Sequence, residues 1–501
     1  MRAWVIKISS GFNKWEIIIL ICGVFIMLVR YINYSPIFHD EAARMLTVQQ
    51  TSLWDLIRSP RLDNYVHDAK GFLAMIKIFS CFFPIHELSF RFPVFLCALL
   101  GCVLFFRLAH HLLAPAGRYV AMGLYIICPF LIGHSSIMLP YACNVFVSNL
   151  LLLMFYRLIS SDLHRVEVRL GYALLGGLAA VLSIPAVFIL AGCGSIALIH
   201  MLILHETDKL KRFLPIVIFW MITWAVHYFY YIRDTAQWLA LSDQWQPYLL
   251  PFKDGLGTSV AWFFLKFAQM FDHPVGMVAG LGLPLWALGI MAFLKKDRLH
   301  FFQIISPFFL MLIAVLIRKY PFHGRVLAFL LPINLLIIGQ GYQYCVERMP
   351  KGRFSQGFVF FAGCLMLIHP LRQTWTDLHY SHRNGHVPAA MNTIRTHWQP
   401  GDGIYIHANF LHDFRFLNQR YRFRPQDYRQ GVGRTSTACA AEIKKLPGYD
   451  RIWFILRNDT QEGVRVIRFY ADHQGKLIYG QGCGACYLYL YEWDSKKGSH
   501  K

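Results

Sequence analysis

Acidic residues are the scarcest chemistry in this 501-residue chain. There are 28 Asp and Glu against 49 Lys and Arg, a formal net charge of +21. The long apolar runs are nearly free of them, so a proton or ion relay through a membrane interior would have little to run on. Also missing is a Gly-rich loop after a strand, which argues against a nucleotide cradle. No single helix carries two His and a carboxylate at ligand spacing, so neither a metal nor another cofactor is expected. No internal repeat with paired polar centres is found, which ranks a transporter low. No small-residue cleavage site follows Trp15–Tyr34, and that run reads as a retained first span. The twelve Cys are scattered mostly through apolar stretches, where they behave as small hydrophobes. Cys483 and Cys486, with Cys439 as a competitor, are the exception; a structural role is expected, and no further ligands at zinc spacing accompany them.

What is abundant is apolar length, 56% of the residues with 16% aromatic. Crossing a bilayer takes about 20 mainly apolar residues, and eleven stretches are read as spans. They run 15–34, 88–113, 119–133, 139–158, 170–184, 186–204, 213–232, 275–294, 301–317, 326–345 and 358–371. Arg2, Lys7 and Lys14 precede the first, which puts the N-terminus in the cytoplasm. Alternation then makes every cytoplasmic connection a short basic loop, from Arg107 and Arg118 to Arg348, Lys351 and Arg353. The positive charge is thereby explained without nucleic acid. The expected organisation is a polytopic α-helical membrane domain, 1–371, with an outer loop at 35–87. An extracytoplasmic α/β domain of about 130 residues follows at 372–501, its helices alternating with strands at 404–406, 451–456 and 487–491.

The ionisable groups gather at outer helix ends. His39, Asp40, Glu41, Arg44, His67, Asp68, Lys70 and Arg91 lie in or beside the first outer loop, and His323 and Arg325 in a later one. An Asp-Glu pair after a helix end serves commonly as a solvated N-cap, and an Arg in Arg325's position commonly snorkels. The same residues also suit transfer chemistry, with a carboxylate taking an acceptor's proton while cations steady a departing phosphate.

The order of these pieces resembles the GT-C superfamily of membrane glycosyltransferases, in particular the family 39-like group of protein O-mannosyltransferases and aminoarabinose transferases. The resemblance rests on His-Asp-Glu-Ala at 39–42, Asp68-Ala69-Lys70-Gly71-Phe72-Leu73, Arg91-Phe92-Pro93, and Ser135-Ser136 before Pro140-Tyr141-Ala142. It rests further on Tyr320-Pro321-Phe322-His323-Gly324-Arg325 before Phe329-Leu330-Leu331-Pro332, and on Trp398-Gln399-Pro400-Gly401-Asp402. It implies a GT-C fold and an inverting transferase of hexose or pentose, drawing on a polyprenyl-phosphate sugar and acting on a glycan, lipid or protein in a bacterial inner membrane. It further implies Asp40 as general base with Glu41 beside it, and Arg325 at the donor phosphate. Lys70, His323 and Arg91 join Arg325 there; His39, His67, Asp68 and Tyr141 are candidate substrate contacts. Where relatives carry a second acidic position, this chain has Ile137, Met138 and Leu139, and a later Asp is Asn144. A non-catalytic scaffold in envelope polysaccharide assembly is therefore the alternative, with a lipid-glycan transporter behind it.

Overall fold

The computed structural model describes residues 11–33, 37, 39–59, 68–83, 86–233, 245–252, 255–350, 352–380, 387–431, 441–443, 446, 448–457, 461–483 and 486–493. The chain forms two compact units. One comprises Met1–Ile32, Leu53–Arg61 and His67–Leu378; the other comprises Asn33–Ser52, Leu62–Val66 and His379–Lys501. The first part of the outer loop, assigned from sequence to the membrane domain, thus groups with the C-terminal residues.

The first unit is helical. Its helices are α1 (Lys14–Ile32), α3 (Leu53–Arg58), α4 (Lys70–Ser80), α5 (Glu87–Leu112), α6 (Pro115–Ile126), α7 (Pro129–His134) and α8 (Tyr141–Leu158). They continue with α9 (Val166–Leu182), α10 (Ala186–Ile203), α11 (Thr207–His227), α12 (Leu256–Asp272), α13 (Ala279–Lys296), α14 (Arg298–Leu316), α15 (Leu331–Arg348) and α16 (Arg353–Tyr380). The numbering leaves α2 (His39–Gln50) to the second unit. Among the described residues eight helices are long and apolar enough to cross a membrane: α1, α5, α8, α10, α11 with its π-helical end, α13, α14, and α15 with the 3₁₀ turn before it.

Three of the eleven expected spans differ from these. The run at 119–133 is broken into α6 and α7, because Pro129 lacks an N–H and Cys128 before it is extended at φ −63° and ψ 113°. The run at 170–184 is a 17-residue helix, α9, and the run at 358–371 lies inside the 28-residue α16. In the opposite sense, α12 lies in a segment expected to be a polar outer connection. Its Phe263, Phe267 and Phe271 fall one turn apart, and the last two rings pack on Trp286 of α13 at 5.4 and 6.3 Å.

Helices α13 and α15 approach backbone to backbone. A Cβ added at Gly341 would lie 1.9 Å from the Leu285 carbonyl oxygen, and one at Gly289 1.9 Å from that of Ile337. Small residues permit such closeness in a membrane helix pair.

The second unit holds α2, α17 (Val387–His397), α18 (Leu411–Tyr421) and α19 (Gln461–Gln474). Its five-stranded sheet has the order β2-β1-β3-β5-β4, with β1 Asp402–Ile406, β2 Tyr428–Gln430, β3 Arg451–Arg457, β4 Gly475–Cys483 and β5 Cys486–Trp493. Strand β1 runs parallel to β2 and β3, whereas β5 is antiparallel to both β3 and β4. Tyr405, Ile452, Phe454, Ile467 and Tyr491 form the heart of its core. Asp402 ties the strand ends together, accepting from Arg451 Nε and Nη2 at 2.7 Å each and from Trp453 Nε1 at 3.1 Å. Cys483 and Cys486 face one another as the last pair of the β4–β5 hairpin, both as thiols. Cys439 lies outside the described residues.

Candidate active site

The expected site residues divide between the two units. His39, Asp40 and Glu41 form the first turn of α2, where carboxylates complement the helix dipole. Asp40 is exposed and Glu41 is fully buried. The Arg44 guanidinium reaches back one turn and donates to the Asp40 carbonyl at 2.5 Å. The buried face of α2, with Ala42, Ala43, Met45, Leu46 and Val48, packs on α18. Two polar clasps lie along this contact. Gln49 and Gln419 exchange amide hydrogen bonds at 2.9 and 2.8 Å, and His39 Nδ1 meets Asp413 Oδ2 at 3.2 Å. The His39 and His412 rings are 4.7 Å apart.

In the membrane unit, Lys70 opens α4 and is 5% exposed. Its ammonium donates to the Ser59 carbonyl at 2.8 Å and lies 5.1 Å from the Tyr231 ring. Burial pushes this ammonium down to about 8. Asp68, two residues earlier, is half-buried. Arg91 is fully buried on α5. His67 lies outside the described residues.

His323 and Arg325 belong to a basic, aromatic cluster. Gly324 between them permits the approach of His273: a Cβ there would fall 2.2 Å from His273 Nδ1 and 2.6 Å from its carbonyl oxygen. The His323 ring sits 4.1 Å from Tyr248 and 6.2 Å from Trp245, and the Arg325 guanidinium lies over Trp245 at 5.2 Å. His273 meets the edge of Phe130 at 4.9 Å; Phe130 stacks on His134 at 4.1 Å, and His134 meets Tyr141 at 5.0 Å. Among the described residues, His323 Nδ1 and Arg325 Nε are buried atoms with no hydrogen-bond partner. Burial, then the charges of Arg325, His273 and Lys266, hold the His323 imidazole down at about 4, and burial also lowers His273. At neutral pH the cluster therefore offers a guanidinium with an open Nε–H donor beside neutral imidazoles, a set suited to an anion.

Sequence reading had singled out Tyr141, His323 and Arg325 of this cluster but not His134 or His273. Each lone His carries no local pattern, and the two lie far apart in the chain, His134 at the end of α7 and His273 just after α12. Ile137, Met138 and Leu139 are buried, with Leu139 N–H donating to the Ile137 carbonyl at 2.7 Å. The Asn144 side chain accepts from Ser183 Oγ at 2.8 Å. No three His, Cys, Asp or Glu side chains converge as metal ligands among the described residues.

No protein-family model matches the sequence, and no curated protein matches it. Solved structures match it in fold. ArnT from Cupriavidus metallidurans, bound to undecaprenyl phosphate, aligns over 96% of this chain and 98% of its own, with TM-score 0.58 and 11% identity. The oligosaccharyltransferase AglB from Archaeoglobus fulgidus, in complex with an inhibitory peptide and a dolichol-phosphate, aligns over 95% of this chain and 74% of its own, with TM-score 0.52 and 12% identity. An A. fulgidus oligosaccharyltransferase tethered to an acceptor peptide gives TM-score 0.53 over 96% and 74% at 11% identity. At these identities the likeness is one of architecture.

Proposed function

We propose that this chain, which has the fold of the GT-C membrane glycosyltransferases, moves a sugar from a polyprenyl-phosphate donor to a glycan, lipid or protein acceptor at the outer face of the bacterial cytoplasmic membrane. The observation that carries this reading is the His323–Arg325 pair, whose buried nitrogens lack partners inside a wall of Trp245, Tyr248 and His273. The Arg325 Nε–H costs free energy unless an acceptor meets it, a phosphate supplies several oxygens to do so, and His323 Nδ1 joins it as a donor in the tautomer that carries its hydrogen there.

In the proposed reaction Asp40 takes the proton of the attacking hydroxyl or amine. The new bond forms at the anomeric carbon with inversion, and the bond from that carbon to the phosphate oxygen breaks. Arg325 and His323, with Lys70 and Arg91, stabilise the charge that returns to the lipid phosphate. Asp40 is exposed on α2, as a base meeting an external acceptor requires, whereas Glu41 is buried and supports the helix.

The test is made in cells lacking the protein and complemented with variants, with their surface glycans and lipids read by mass spectrometry. Asp40→Asn is expected to remove the product while leaving the protein in the membrane, since a positioned base contributes about 10²–10⁴-fold. Full product from this variant would remove Asp40 from the reaction. The apolar character of Ile137, Met138 and Leu139 favours a second reading, a non-catalytic scaffold. Purified protein that binds polyprenyl phosphate while never consuming a polyprenyl-phosphate sugar would support it.

A further inference from the structure

Resting on the transfer reading above, we infer that Asp413 and His39 form a dyad presenting an unprotonated imidazole Nε2 on the first turn of α2, the turn that also carries Asp40, as a second hydrogen-bond acceptor for the incoming acceptor substrate. The dyad stands on three observations within one unit. The Asp413 carboxylate is 3% exposed and lies 3.2 Å from His39 Nδ1. The His39 ring is 30% exposed and occupies the first position of the helix whose next residue is Asp40. Both ends of that helix are held on α18, by this pair and by the reciprocal amide bonds of Gln49 and Gln419.

The chemistry follows from what a carboxylate can do. An ionised Asp only accepts, so the hydrogen between the two groups belongs to the imidazole Nδ1. In the neutral ring that leaves the lone pair on Nε2, and a buried carboxylate behind an imidazole is the arrangement that fixes a tautomer for use as an acceptor. The other groups facing the pair are His412 on α18, whose ring is 4.7 Å from that of His39, and the Cys486 thiol, whose ionisation is opposed by its contact with Cys483, by burial and lastly by the Asp413 charge. The chain has apolar, buried side chains at Ile137, Met138 and Leu139, and the dyad supplies a second acceptor elsewhere. Two acceptors on one helical turn, diverging as successive helix positions do, fit an acceptor substrate that carries two separate donor groups, such as a hydroxyl with another hydroxyl or an amine beside it.

The test uses diethyl pyrocarbonate, which acylates an unprotonated imidazole nitrogen, on the purified full chain at pH 7, with the His39 peptide followed by mass spectrometry. Asp413→Asn is isosteric, but its amide can donate to Nδ1 and move the ring proton to Nε2. His39 is expected to react about tenfold more slowly in that variant, at the wild-type rate in Asp413→Glu, and unchanged in Gln419→Ala, which loses only the far clasp. In complemented cells Asp413→Asn should lose most product, with Asp413→Glu and Gln419→Ala retaining it. Wild-type reactivity of His39 in Asp413→Asn, or full product from that variant, overturns the dyad. If Asp40→Asn keeps its product while the His39 rates change as described, the transfer reading fails and the tautomer assignment stands.

Discussion

Lys70 shows how one buried side chain ties pH to the proposed reaction. Loss of solvent disfavours its ammonium and lowers it from 10.5 to about 8. The cation is present below pH 8 and is lost as the pH rises through that value. If Lys70 helps hold the donor phosphate, product formed by membranes should fall between pH 7 and 9, and Lys70→Arg, whose guanidinium keeps its charge there, should flatten the fall. An identical alkaline limb in the two proteins would free Lys70 of that role. At Arg325 the guanidinium combines a cation–π contact with an unpartnered Nε. Arg325→Lys keeps the charge but loses the planar fork, so product is expected to drop at least tenfold with membrane levels unchanged. These two residues, like Asp40, were legible in the sequence because charge at an outer helix end is conspicuous. Glu41 was legible too, though not its burial: only the packing of α2 shows that adjacent carboxylates face different surroundings.

Among the elements, helices were legible wherever apolar length alone decides, as in α5, α10 and α14. They were less so where a break or a ring ladder decides. Pro129 splits one apolar run, while Pro93, Pro215, Pro284, Pro307 and Pro370 sit inside unbroken helices; residue type by itself does not separate these outcomes. Helix α12 was hidden because its Phe263, Phe267 and Phe271 ladder makes sense only against Trp286 of α13, a partner the local sequence does not show. The strand order was hidden as well, since β4 and β5 pair as a hairpin and β3 joins β5 antiparallel while β1 remains parallel. Close helix contacts make a sharp prediction here. Gly341→Leu drives a side chain into the Leu285 carbonyl, and the detergent-solubilised protein is expected to lose its cooperative melting transition. Gly257→Ala, where nothing lies within 4 Å, should melt as wild type.

For the molecule as a whole, the proposed sidedness, with the N-terminus inside and the sheet outside, rests on basic connections alternating with the eleven apolar runs of the sequence, and it can be measured. A cysteine introduced at exposed Gly352 should be labelled by an impermeant maleimide only from the cytoplasmic side. One at exposed Lys476, in the sheet, should be labelled only from outside. Labelling of both from one side would invert the proposed placement of the sheet. The architecture as a class was readable from composition and motif order, and the fold shared with ArnT agrees with it. The affiliation of residues 33–52 was not readable, because a short amphipathic helix carries no mark of which partner covers its apolar stripe.

That affiliation sets a rule for anyone building hybrids from this scaffold. A graft that exchanges only the residues after Leu378 would give α2 a foreign floor in place of Asp413 and Gln419, and the carboxylate it carries would be inherited without its footing. A transplant has to move three pieces of chain together, the C-terminal portion, the twenty residues that leave the first apolar helix, and Leu62–Val66.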